Sequence, residues 1–67
     1  MTFTAVITAV PEGGYVAMNP ETGTTTQGDS IAEALENLKE ATQLFIEEFP
    51  VAPAGNTLLT TFEVSVA

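Results

Sequence analysis

A chain of 67 residues is long enough for one small domain, residues 1–67, and buries only about 60% of its unfolded surface. Nine acids face one base, Lys39, for a net charge of −8; that charge repels nucleic acid and anionic lipid and favours a cationic partner. There is no cysteine and no histidine, which excludes disulfides, thiolate metal sites and histidine-based acid–base chemistry.

Residues 2–10, TFTAVITAV, read as a strand with Phe3, Ala5, Ile7 and Ala9 on one face and Val6 and Val10 on the other. The segment has no basic leader and no long apolar run, so neither a signal peptide nor a membrane span is expected. A cytoplasmic protein fits the lack of cysteine. Pro11-Glu12-Gly13-Gly14 makes a turn, since proline presets φ and glycine accepts positive φ. Tyr15–Met18 is a second strand, Asn19-Pro20-Glu21-Thr22-Gly23 a second turn, and Thr24–Gln27 a third strand.

Ser30 and Glu33 have the spacing of a capping box, in which the Ser30 hydroxyl takes the Glu33 N–H and the Glu33 carboxylate reaches back to the Ser30 N–H. A helix is expected over Ile31–Glu48, stopped by Pro50. Ile31, Ala34, Leu35, Leu38, Ala41, Thr42, Phe45 and Phe49 form its apolar stripe. Glu33, Glu36, Glu40, Gln43 and Glu47 form a second stripe, whose like charges at i+3 and i+4 cost a few tenths of a kcal/mol per pair. Residues 50–56, PVAPAGN, read as a loop. The alternation of Leu58, Thr60, Phe62, Val64 and Val66 with Leu59, Thr61, Glu63 and Ser65 predicts a fourth strand.

The expected fold is α+β, in the order β-β-β-α-β. A right-handed crossover through the helix would give the sheet order 4-1-2-3, with the fourth strand parallel to the first. One helix covers one face of that four-stranded sheet. The uncovered face predicts a homodimer or a higher even oligomer.

Catalytic options are few. Ser30 and Lys39 are nine residues apart on one helix, about 13 Å along the axis, too far for proton transfer. A carboxylate Mg²⁺ site would need acids from several elements, and the first strand carries none. No GxGxxG or P-loop pattern is present. No catalytic residue, metal or cofactor is therefore expected. The acidic helix stripe has two readings: a solvated surface, or a docking surface for a basic protein.

The segment Gly14–Glu48 resembles the N-terminal domain of HicB-type antitoxins. The resemblance rests on Tyr15-Val16-Ala17, Pro20-Glu21, Gly23, Thr26-Gln27-Gly28-Asp29-Ser30 and Glu33-Ala34-Leu35-Glu36-Asn37-Leu38-Lys39-Glu40-Ala41, and covers about half the chain. It implies a degraded ribonuclease H-like fold. It also implies a partner, a small basic HicA-type toxin that cleaves mRNA, whose active site the antitoxin masks. Glu33, Glu36, Glu40 and Glu47 are the expected docking residues, with Tyr15, Pro20 and Glu21 as a second group. The turn from Pro20 to Gln27 is one residue shorter than the commoner family form. Many HicB proteins carry a C-terminal DNA-binding domain, and with Ala67 directly after the fourth strand no DNA-binding role is expected here. Two alternatives stay open: an orphan oligomeric structural or ligand-binding domain without a toxin, and a residual carboxylate-metal nuclease.

Overall fold

Glycine placement and the period-2 alternation of the first 28 residues produce an antiparallel meander, and a helix packs across it. The computed structural model describes residues 2–50 and 57–66. Its elements are β1 (Val6–Ala9), β2 (Tyr15–Asn19), β3 (Thr24–Gly28) and α1 (Ile31–Glu48). The sheet order is β1-β2-β3, both pairs antiparallel. The fold is a small α+β arrangement, as expected, with three strands and one helix.

The β1–β2 turn closes through Gly13 N–H to Val10 O at 2.9 Å and Val10 N–H to Gly14 O at 3.0 Å. Gly14 has φ +86, and a Cβ there would lie 2.9 Å from Gly28 O. Both facts demand glycine. In the sheet, Val6 faces Met18 and Thr8 faces Val16. Ile7 then falls opposite Ala17, on the side that meets the helix.

The helix starts as its cap residues dictate. Ser30 sits in extended geometry and its hydroxyl accepts the Glu33 N–H at 3.1 Å. The return bond differs from expectation: the Glu33 carboxylate takes the Asp29 N–H, at 3.1 Å, in place of that of Ser30. The last residue, Glu48, precedes Phe49, whose N–H still reaches Phe45 O at 2.7 Å. Pro50 cannot continue the ladder.

Ala17, Ala34 and Leu38 are fully buried, with Ala5, Ile7 and Tyr15 packed around them. Helix α1 lies chiefly over β3, then β2, and barely reaches β1. Two side-chain bonds hold it there: Thr26 Oγ1 donates to Ala34 O at 3.0 Å and Asn37 Nδ2 to Gln27 O at 2.9 Å. The third glycine that matters is Gly28, where a Cβ would lie 2.5 Å from Ala34 N. Strand and helix can approach this closely only because no side chain stands between them.

Two expectations need correction. Residues 57–66 form no strand and every one of them is exposed, so the expected 4-1-2-3 order is observed as β1-β2-β3. Alternation specifies which side of a strand is apolar, but it does not supply the edge to which the strand adds. The apolar helix stripe is also only partly covered: Ile31, Leu35 and Phe49 are 52%, 45% and 58% exposed. A three-stranded sheet under an 18-residue helix leaves the β1 side of that stripe bare. The loop expected at 50–56 falls, from residue 51 on, outside the described residues. Among the described residues no helix is long and apolar enough to cross a membrane.

Candidate protein-docking surface

Helical geometry groups the predicted docking acids. At 3.6 residues per turn, Glu33, Glu36, Glu40 and Glu47 share a sector of about 60°, opposite the buried Ala34, Leu38 and Thr42. All four are exposed. The chain's single base does not lie in that sector: Lys39 lines a groove on the β1 side of the helix. Lys39, three residues on from Glu36 at the margin of the sector, offsets only part of the negative potential that the four carboxylates concentrate there. Such a patch raises the on-rate of a cationic protein and loses strength as salt is added. One of the four has a structural duty as well, since Glu33 caps the helix through both its N–H and its carboxylate.

The second predicted group does not form one site with the first. Tyr15 and Pro20 lie at opposite ends of β2, five residues apart, roughly 17 Å. Tyr15 is half-buried against the core. Pro20 is exposed in the β2–β3 turn. Glu21 is in the same turn, and its carboxylate is engaged within the chain. It accepts the Thr4 N–H at 2.7 Å and Asn19 Nδ2 at 2.6 Å. A side-chain bond from Thr57, then the Thr4 N–H, hold the Glu21 carboxyl down at about 2, against an ordinary 4.5.

Asn19 is the residue that sequence reasoning passed over. It reads as a turn former, but it is 1% exposed and organises the whole β2–β3 turn. Its Nδ2 donates to Thr4 O at 2.7 Å as well as to Glu21. Its Oδ1 accepts Thr22 N–H at 2.9 Å and Thr22 Oγ1 at 2.6 Å. The chain segment leading into β1 is thereby tied to the far end of β2. The signal was present in Asn19-Pro20-Glu21-Thr22, an Asx-turn pattern whose side chain folds back onto the next backbone N–H groups.

Beside this hub lies a groove of about 570 Å³ between the helix and the β1 side of the sheet. Phe3, Ala5, Leu35, Leu38, Thr42 and Ile46 form most of its wall. The Thr42 hydroxyl, on a residue 6% exposed, has no hydrogen-bond partner among the described residues.

No family model matches the chain, and no solved structure matches it. Among curated proteins, UPF0150 protein ssl0738 of Synechocystis sp. is 52% identical to it over 46 residues. The matched stretch takes in 67% of this chain and 64% of that protein, so the chain spans just under two thirds of its relative's length. The relative's name states no activity.

Proposed function

We propose that this chain is a non-enzymatic, cytoplasmic antitoxin-like module of the HicB type. It would bind a small, basic, HicA-type ribonuclease and mask the site that cleaves mRNA. The observation that carries this reading is the exposed sector of Glu33, Glu36, Glu40 and Glu47, set opposite the core, with Lys39 at its margin as the one base on the helix. A ribonuclease needs a cationic surface to hold the phosphate backbone. An acidic helix face is its electrostatic complement, and covering the surface is sufficient to stop cleavage. The ordered resemblance from Tyr15 to Ala41 supports the same assignment. The four-stranded, degraded ribonuclease H-like form of that family would be completed if residues 58–66, of the same or a second copy, added to the free edge of β1.

The test is inhibition of RNA cleavage. The chain, added in equimolar amount to a HicA-type toxin from its own source, should abolish cleavage. The double variant Glu36→Lys/Glu40→Lys should bind on the order of tenfold more weakly at low salt, with a flatter salt dependence. Cleavage that continues in the presence of excess chain would refute the reading. The nuclease alternative predicts instead that the chain cleaves RNA when Mg²⁺ is added; the antitoxin reading predicts no turnover.

A further inference from the structure

Among the described residues the segment 57–66 is the least buried. Leu58, Phe62, Val64 and Val66 are 84%, 85%, 69% and 89% exposed. These four residues and Thr60 would share one face of an extended strand. Such a pattern is suited to a half-buried strand in a sheet, and here it has no sheet.

The surface area shows how much is missing. A compact protein of 7.0 kDa exposes roughly 4,000 Å², whereas this chain exposes 5401 Å². The radius of gyration is 13.8 Å and the longest extent 45 Å, against about 11 Å for the radius of a compact chain of this length. The excess is roughly 1,400 Å² per chain, more than the ~800 Å² that each partner contributes to an ordinary stable interface. Among the described residues, meanwhile, Ala17, Ala34 and Leu38 are the only buried apolar side chains.

The body offers a matching vacancy. Among the described residues strand β1 is an edge, paired with β2 alone. Next to that edge lies the apolar groove, lined by Phe3, Ala5, Leu35, Leu38 and Ile46, with the unpartnered Thr42 hydroxyl in its wall. Residues 58–66, fully extended, reach about 30 Å, long enough to cover the four-residue edge of β1, about 13 Å, and run on along the groove. The segment begins at Thr57, whose hydroxyl is close enough to lower the Glu21 pKa, and from there it runs exposed, outside the lining of its own groove.

We infer that residues 58–66 act as an exchanged arm: in a homodimer, the arm of one copy lies along the free edge of β1 in the second copy, and its Leu58, Phe62 and Val64 face fills that copy's groove. The exchange is reciprocal, so two arms and two grooves are covered at once. Each β1 edge is capped, which removes an aggregation hazard. None of the four helix acids lines the groove, so the acidic sector stays open in the dimer. This inference does not depend on the antitoxin reading.

Light scattering on the full-length chain should give about twice 7.0 kDa at micromolar concentration, and Phe62→Glu/Val64→Glu should give a monomer with the body's helix signal retained. Both substituted residues are exposed in the body's own fold, so the variant does not perturb the core. A mixed dimer of isotope-labelled and unlabelled copies locates the arm. Filtered NOEs are expected between Phe62 or Val64 of one copy and Ala5 or Ile7 of the other. The inference is overturned by a monomeric wild type, by arm contacts to β1 confined within one chain, or by a dimer whose arms contact only each other.

Discussion

Two stretches of this chain carry the same period-2 alternation and end in different states. In residues 2–10 the alternation yields a paired strand over Val6–Ala9, because the Gly13-Gly14 turn folds Tyr15–Asn19 back within reach. In residues 58–66 it yields an exposed arm. Neither propensity nor hydrophobicity separates the two; the availability of a partner edge does. The body from Thr4 to Phe49 is tied by local turns and by the Asn19, Thr26 and Asn37 bonds. The arm approaches it at its base, where the Thr57 hydroxyl lowers the Glu21 pKa. Local chemistry therefore builds the body, and a second surface is required to order the arm.

The comparison breaks most severely if the body is loosened at its tightest contact. Gly28→Val would drive a side chain into Ala34 N and the carbonyl carbon of Glu33. The expected loss is about 3 kcal/mol or more by urea unfolding; Gly23→Ala, where nothing lies within 4 Å but φ is +78, should lose only about 1 kcal/mol. A Gly28 variant as stable as wild type would mean that the helix does not approach β3 as described.

Asn19→Ala comes next. It strands Thr4 O and the Thr22 N–H, both of which Asn19 now satisfies, and should cost about 2 kcal/mol. It should also release the chain entry to β1, visible as faster amide exchange at Thr4. A smaller effect is expected at the cap: Ser30→Ala should cost about 1 kcal/mol, and Ser30→Asp almost nothing.

The smallest effect probes the joint between body and arm. Glu21 has a folded-state pKa held at about 2, below its ordinary 4.5. A depressed carboxyl favours the folded state above the unfolded value and loses that contribution as pH falls from 4.5 toward 2. Wild type should therefore lose thermal stability over that window by more than Glu21→Gln does. Thr57→Val, which removes the first cause of the depression, should raise the Glu21 pKa in an NMR titration. An unchanged titration would detach the base of the arm from the body.

Much of the body was legible because its signals are local. The helix from Ile31 to Glu48 followed from Ser30, Glu33 and Pro50, and the meander from glycines spaced between β-branched runs. The fourth strand was not legible as a paired element, since Leu58–Val66 encode a face and say nothing of which edge receives it. Asn19 was missed because a turn residue and a buried hub have the same letter. The use of Gly28, its contact with Ala34, was not legible, since nothing local to it names the helix residue it meets. The acidic sector was fully legible, since 3.6-residue spacing fixes the grouping of Glu33, Glu36, Glu40 and Glu47 once the helix is placed.

Body and arm together leave the outer face of α1 uncovered, and on that face the proposed recognition rests. The most direct measurement is RNA cleavage by a HicA-type toxin from the same source, titrated with this chain and with Glu36→Lys/Glu40→Lys. The account predicts complete inhibition near one equivalent of wild type, and a requirement for on the order of ten times more of the variant at low salt. Cleavage unaffected by wild type, or blocked equally by both proteins, would contradict it.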